Sequence, residues 1–135
     1  GCGAMLGGKV RSQVNVRGSS ARHNGQSASF TALNGMSQQL LIRASLNDAG
    51  AGTERFLEAH GTGTALGDPI EVGAASSVIL SRGYASFASG IKANVGHTES
   101  TAGVAGTLKA LTLLQQDVWP RNGQTRCINP QVCQV

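Results

Sequence analysis

The chain alternates short strand-like segments with longer helical segments, and this order restricts the fold more than any other feature. Each strand-like segment is apolar and bounded by turn residues, as short strands in globular domains are. These segments cover residues 14–18, 56–57 and 87–91, and the helical patterns that follow them cover residues 34–48, 68–83 and the stretch from residue 98 onward. Strands and helices in this order predict an α/β architecture in which helices pack on a sheet.

Local signals mark where the predicted helices begin and end. Asn34 is a favourable N-cap for the first helix, and the glycine-rich residues 49–52 end it. Asp68 and Pro69 open the second helix as N-cap and first helical residue, and Glu71 lies near its positive dipole end. Apolar positions predict the buried faces of the three helices. These positions are Leu40, Leu41, Ala44 and Leu46, then Ala74, Ala75, Val78 and Ile79, then Val104, Leu108 and Leu111.

Composition excludes several classes of protein. The chain of 135 residues is 40% hydrophobic and only 13% charged, a pattern too apolar for a disordered chain. Its longest apolar stretch, residues 102–114, is interrupted by Lys109 and is too short to span a bilayer. The net charge is +4, but the basic residues are scattered, so no nucleic-acid surface is predicted. Low charge combined with 19 glycines indicates a chain that buries much of its surface against a partner.

Two glycine-rich segments have spacings close to those of nucleotide-binding loops but depart from them at a deciding position. Residues 3–10, GAMLGGKV, have P-loop spacing, yet Val10 stands where Ser or Thr would hold magnesium. We interpret this segment as a glycine-rich turn. In residues 61–67, GTGTALG, the third glycine of a dinucleotide fingerprint comes one residue late. The glycines there still allow a ligand to approach the backbone, and Thr62 and Thr64 supply hydroxyl groups.

Two histidines occupy equivalent positions along the chain. His60 and His97 each follow a predicted strand and each lies beside glycine. Because ligand and catalytic groups of α/β folds gather at the carboxyl ends of strands, this pairing indicates a functional site. A zinc site would need a third ligand, and no metal-ligand spacing supplies one, so no metal is predicted. His23 lies in a polar loop and is interpreted as a surface residue.

Longer segments carry a resemblance to a known family. Residues 58–71, EAHGTGTALGDPIE, resemble the first histidine motif of the β-ketoacyl synthases, and residues 92–99, KANVGHTE, resemble the second. Shorter matches to the ketosynthases of type I polyketide synthases are NGQSAS, NGMSQQ, WPRN and NP, at residues 24–29, 34–39, 119–122 and 129–130. The resemblance implies a thiolase-like fold, in which residues 1–135 form most of the C-terminal half of a ketosynthase domain that is truncated at both ends.

The resemblance also implies a reaction and its residues. Ketosynthases are acyltransferases that join an acyl thioester to a malonyl thioester by decarboxylative Claisen condensation. A neutral imidazole can stabilise the enolate oxygen that develops on decarboxylation. By resemblance, the catalytic residues are His60, His97 and Lys92, and the substrate-binding residues are Thr62, Thr64, Asn94 and Glu99. Fatty-acid synthesis by the same chemistry is the alternative within this family.

The resemblance further implies partners and a missing nucleophile. Substrates are carried on the phosphopantetheine arm of acyl carrier protein, and no cofactor is expected to bind tightly. The other expected partners are the N-terminal half of the same ketosynthase and, in the intact protein, a second copy. None of Cys2, Cys127 and Cys133 has the context of the family's nucleophile, so a non-catalytic homologue that serves as a scaffold stays an alternative. We expect a cytoplasmic location, with the plastid as the alternative.

Overall fold

The order of the elements follows the predicted alternation of strands and helices. The computed structural model describes residues 2–10, 13–23, 33–50, 56–79, 87–116, 118, 122–123 and 127–134. The strands are β1 (Cys2–Val10), β2 (Gln13–Ala21), β3 (Phe56–Glu58) and β4 (Phe87–Ser89), and the helices are α1 (Gly35–Ala49), α2 (Gly67–Ile79), α3 (Lys92–Val95) and α4 (Ala102–Gln116). Short 3₁₀ turns cover Glu99–Thr101 and Val132–Gln134. The predicted α/β architecture is therefore present in the described part of the chain.

β1 and β2 form an antiparallel pair that corrects one prediction. The segment interpreted as a glycine-rich turn, residues 3–10, lies within β1 and pairs with β2. Because the pairing is made by backbone groups, which glycine carries like any other residue, the glycine spacing alone could not reveal the strand. A register shift places Met5 opposite Gly18 and Leu6 opposite Val16, so that Arg17 is the additional residue of a bulge.

The two ends of α1 confirm the predicted caps. The Asn34 side chain accepts a hydrogen bond from the backbone N–H of Ser37 at 3.0 Å, which satisfies one of the free donors of the first turn. Gly50 ends the helix in the left-handed conformation with φ of 57°, and its N–H bonds back to the Asn47 carbonyl.

The buried face of α1 differs from the prediction because of one close approach to β2. Leu40 and Ala44 are exposed, whereas Ser45, Leu46 and Ala49 are buried. Gly18 of β2 lies directly against this stripe. A Cβ atom built on that glycine would lie 2.6 Å from the Ala49 nitrogen. The absent side chain lets strand and helix backbones approach, and this contact orients the helix.

β3, α2 and β4 form a crossover unit that creates the edge carrying the histidines. β3 and β4 pair in parallel, with Phe56 opposite Phe87 and Glu58 opposite Ser89. Their carboxyl ends therefore meet at one edge of the sheet. α2 buries all four predicted positions, Ala74, Ala75, Val78 and Ile79. Residues 80–86, which include the predicted end of this helix, lie outside the described residues.

α4 places its predicted apolar face outward. Ala102 and Leu113 are buried, whereas Val104 is 62% exposed and Leu108 is 58% exposed. Such an uncovered apolar face matches the expectation that this chain packs against a further partner. No helix within the described ranges is long and apolar enough to cross a membrane.

Candidate active site

The structure brings His60 and His97 together at the carboxyl edge of the β3–β4 sheet. Their ring centroids are 5.7 Å apart and the ring planes are perpendicular. His60 follows β3 by two residues, as predicted, whereas α3 stands between β4 and His97. Both residues are exposed at this edge, so their ring nitrogens can reach a bound molecule.

The backbone of His60 is held on both sides by charged side chains. The Glu71 carboxylate accepts hydrogen bonds from the N–H groups of His60 at 2.6 Å and Gly61 at 2.9 Å. The Lys92 Nζ donates to the His60 carbonyl oxygen at 2.6 Å. Charge-assisted bonds of this kind are stronger than neutral ones. A cation from the β4 side and a carboxylate from α2 thus orient the first histidine.

The turn after His60 is organised by Thr64 and Asp68. The Thr64 hydroxyl accepts from the Gly67 N–H at 3.1 Å, and its carbonyl accepts from the Asp68 N–H, so Thr64 caps α2. The Asp68 carboxylate instead accepts from the Gly63 N–H at 3.2 Å. The prediction that Asp68 is the N-cap was therefore wrong, because the left-handed Gly63 brings its own N–H within reach of that carboxylate. The Thr62 and Thr64 hydroxyl oxygens are 3.5 Å apart.

The hydrogen bond made by His97 determines its tautomer. Its Nδ1 accepts from the backbone N–H of Glu99 at 2.9 Å. A neutral imidazole whose Nδ1 accepts carries its proton on Nε2, so that Nε2 presents an N–H donor. Glu99 adopts a positive φ of 46° to make this bond, and its side chain is exposed. The structure thus shows Glu99 acting on His97 through its backbone N–H rather than through its side chain.

The surroundings of His60 keep its imidazole neutral. His60 is exposed as a residue, but partial burial of its ring is the largest cause that lowers its pKa below the ordinary value. The positive charge of Lys92 lowers the pKa further. The carboxylates of Glu71 and Asp68 act in the opposite direction, and His97 adds a smaller lowering effect. A neutral imidazole has one N–H donor and one acceptor, so it can donate to an oxygen that gains negative charge.

The short helix α3 carries the other two predicted residues of the second motif. Lys92 opens this helix and points its Nζ at His60, as described above. The Asn94 side-chain oxygen accepts from the Gly123 N–H at 3.0 Å. Asn94 therefore holds Gly123, which lies in a later segment of the chain, beside the site.

A model of the β-ketoacyl synthase C-terminal domain matches residues 14–126. The chain belongs to the β-ketoacyl synthase family. Among curated proteins, it is 39% identical over 122 residues to the highly reducing polyketide synthase 40 of Fusarium mangiferae. It is 41% identical over 122 residues to the erythronolide synthase EryA3 of Saccharopolyspora erythraea. Each match covers 87% of this chain, and 5% and 4% of those proteins respectively.

Solved structures of ketosynthases share the fold of this β-ketoacyl synthase chain. The oxazolomycin ketosynthase domain OzmH KS7 of Streptomyces albus JA3453 is 30% identical with a TM-score of 0.78, over 86% of this chain and 21% of that one. The ketosynthase from module 6 of the bacillaene synthase of Bacillus subtilis 168 is 28% identical with a TM-score of 0.74, over 87% of this chain and 24% of that one. The predicted thiolase-like fold is confirmed, and the chain spans about a quarter or less of these domains.

Two charged residues of this ketosynthase segment were not predicted to belong near the site. Glu58 ends β3 and Lys109 lies on α4, and their side chains form an ion pair of 2.8 Å. Each interrupts an otherwise apolar stretch, and that interruption is the one signal that could have identified them. Glu71 was noted for its place near the α2 dipole, but its bonds to the His60 backbone were also not predicted.

The described residues contain no group of three or more His, Cys, Asp or Glu side chains that could hold a metal ion. Within the described part of the chain, two imidazoles and one lysine lie at the β3–β4 edge. Cys127 and Cys133 are free and exposed. The roles of the individual site residues in this β-ketoacyl synthase chain stay predictions.

Proposed function

We propose that residues 1–135 form the C-terminal part of a ketosynthase domain that elongates a polyketide chain by decarboxylative Claisen condensation. The perpendicular pair of His60 and His97, 5.7 Å apart at one sheet edge, is the observation that carries this proposal. Two imidazoles at this spacing can both approach one thioester carbonyl oxygen. The similarity to ketosynthase domains and polyketide synthases supports the same reaction.

The reaction requires stabilisation of an enolate. The bond between the carboxylate carbon and the methylene carbon of the malonyl thioester breaks, carbon dioxide leaves, and the electron pair delocalises onto the thioester oxygen. The enolate carbon then attacks the carbonyl carbon of the acyl thioester on the enzyme's cysteine, and the cysteine thiolate leaves. Donors aimed at the oxygen that gains charge lower the barrier of the first step.

Three residues are proposed to take part in this reaction, and the geometry around each of them supports its role. His97 presents its Nε2–H because the Glu99 N–H occupies Nδ1. His60 stays neutral because burial and Lys92 lower its pKa, so it can donate through one ring nitrogen. Lys92 fixes the His60 backbone through the carbonyl oxygen. The two imidazoles therefore form a preorganised donor site for the enolate oxygen, and Lys92 holds one of them in place.

The turn beside His60 is suited to the arm that carries the substrate. Thr62 and Thr64 are proposed to contact the phosphopantetheine arm of acyl carrier protein, whose amides need donors and acceptors. Asn94 and Glu99 are proposed to complete this contact from the side of the second motif. The positions of these residues support the proposed contacts, because Thr64, Asn94 and Glu99 are all exposed around the two histidines. No tightly bound cofactor is required for this chemistry.

The exposed apolar face of α4 supports the proposed partner within the same protein. Val104 and Leu108 lie one helical turn apart and are both more than half exposed. We infer that the N-terminal half of the ketosynthase, which supplies the nucleophilic cysteine, covers this face. A second copy completes the assembly as a homodimer. Like the proposed cytoplasmic location, the homodimer rests on the family resemblance.

A single substitution in the complete ketosynthase tests the function. His97→Ala removes the Nε2–H donor and is expected to lower condensation about 100-fold or more, because one oxyanion donor is worth that much. Transfer of the acyl group to the cysteine should persist. Arg43→Ala on the exposed surface of α1 is the control. A wild-type rate in His97→Ala contradicts the proposal, and no condensation by the complete wild-type protein would favour a non-catalytic homologue.

A further inference from the structure

Glu58 and Lys109 form a largely buried ion pair that joins the end of β3 to α4. Glu58 is the last residue of β3, and Lys109 lies in the middle of α4. Their side chains are only 11% and 12% exposed, and the Lys109 Nζ lies 2.8 Å from the Glu58 Oε2. A buried ion pair commonly adds little net stability, because desolvation of both charges offsets their attraction. The role of the Glu58–Lys109 pair must therefore be inferred from the groups that it contacts rather than from its contribution to stability.

The pair connects both strand ends to α4. The Glu58 Oε1 accepts a hydrogen bond from the backbone N–H of Ile91 at 2.5 Å. The Lys109 Nζ donates to the Ser89 hydroxyl at the end of β4. That hydroxyl in turn donates to the Asn122 side-chain oxygen at 2.9 Å. One carboxylate and one ammonium group thus hold the chain segment that leaves β4.

The backbone of α4 leaves room for the Glu58 side chain. A Cβ atom built on Gly106 would lie 3.4 Å from the Glu58 Cγ. Gly106 precedes Lys109 by about one helical turn, so the glycine beside the carboxylate stem and the cation that pairs with its head lie on the same face of α4. This match of shape and charge shows that the helix and the strand end fit each other at this point.

We propose that Glu58 and Lys109 are positioning residues for the condensation reaction, a role that rests on the function proposed above. Their contacts go to Ile91, to Ser89 and to each other rather than to a histidine ring. Ile91, held by Glu58, directly precedes Lys92, whose Nζ holds the His60 carbonyl oxygen. Loss of the bond to Ile91 allows Lys92 to shift, and His60 then shifts with it. Misplacement of about 1 Å at a catalytic group costs on the order of 100-fold in rate.

Two double variants of the complete ketosynthase separate positioning from stability. Glu58→Gln/Lys109→Met removes both charges but keeps an oxygen that can accept from the Ile91 N–H. Glu58→Leu/Lys109→Met removes the charges and that acceptor. We expect the first to keep kcat within about threefold of wild type and the second to lose about 10- to 100-fold. The KM for the malonyl carrier should change far less than kcat in both. Arg43→Met on exposed α1 is the control for loss of a cation.

The measurements are kcat, KM and the unfolding midpoint, with kinetics taken well below every midpoint. If kcat is equal in the two double variants, or follows their midpoints, the positioning role is overturned. If Glu58→Leu/Lys109→Met does not fold, Glu58→Asp takes its place. The shorter side chain keeps the charge but moves the carboxylate away from the Ile91 N–H. An unchanged kcat in Glu58→Asp overturns the proposal. An inactive wild type refutes the proposed function itself, whereas an active wild type with unaffected variants refutes only the positioning role.

Discussion

The Lys92 Nζ donates a hydrogen bond of 2.6 Å to the backbone carbonyl of His60, across 32 residues of sequence. The first residue of α3 thereby orients a histidine that follows β3. The same ammonium group lowers the pKa of that histidine. Lys92 therefore holds the backbone of His60 and also contributes to the lowered pKa of its imidazole, and the two effects can be measured separately.

Replacement of Lys92 should raise the pKa of His60. Lys92→Met removes a positive charge that opposes protonation, so we expect the pKa of His60 to move up toward its ordinary value of 6.5. The titration of ¹³C-labelled histidine in the complete ketosynthase, followed by NMR, measures this change. Arg43→Met is the control, and an unchanged His60 titration in Lys92→Met would contradict the assigned cause.

The same lowered pKa predicts how stability depends on pH. The folded state binds a proton at His60 less readily than the unfolded state does. Its contribution therefore opposes folding increasingly as pH falls below 6.5, and it vanishes above that value. Urea unfolding at several pH values measures this contribution. Between pH 7 and pH 5, a range of about two units around the ordinary histidine pKa, His60→Gln should lose less stability than wild type does. An equal loss in both proteins would refute the prediction.

The tautomer of His97 predicts which substitution retains activity. The amide nitrogen of glutamine can occupy the place of Nε2, whereas that of asparagine lies nearer Nδ1, beside the Glu99 N–H. We expect His97→Gln to condense about tenfold or more faster than His97→Asn, because only the former keeps a donor toward the enolate oxygen. Single-turnover condensation rates decide this. Equal rates, or faster condensation by His97→Asn, would mean that the donor is not at Nε2.

The contact of β2 with α1 predicts a large effect of one added methyl group. Gly18→Ala would place a Cβ atom 2.6 Å from the Ala49 nitrogen, a backbone atom that cannot move without the helix. We expect a loss of about 1–3 kcal/mol in the free energy of unfolding. Arg17→Ala at the neighbouring exposed position should change it by less than about 0.5 kcal/mol. Chemical denaturation compares the two, and equal midpoints would show that the strand and helix are not in contact.

The outward face of α4 predicts a dependence on the rest of the ketosynthase. Leu108→Asp places a charge on a face that is exposed in this chain. We expect the variant to lower the thermal midpoint of the complete protein by several degrees or more, because burial of an unpaired charge is costly. The thermal midpoint of Leu66→Asp serves as the comparison, because Leu66 is also exposed but lies in the turn before α2. An unchanged midpoint in Leu108→Asp would show that nothing covers α4.

Signals carried by neighbouring residues were enough to predict the three long helices and the strands β2, β3 and β4, but not β1. Asn34 and Gly50 mark the ends of α1, and both act within a few residues of the helix. The order of strands and helices predicted the α/β architecture. Because residues that follow parallel strands meet at one edge, the sequence also predicted that His60 and His97 lie together. The family resemblance added the thiolase-like fold, which the ketosynthase structures confirm.

Only the three-dimensional structure decided which of several candidate partners each side chain and each apolar face contacts. Thr64 rather than Asp68 caps α2, because Gly63 offers its N–H to the Asp68 carboxylate. The buried face of α1 depends on where Gly18 allows β2 to approach. Glu58 and Lys109 are paired across 51 positions, and no local pattern distinguishes that pair from two surface charges. Sequence periodicity records which side of a helix is apolar, but the partner that covers it is chosen by packing in three dimensions.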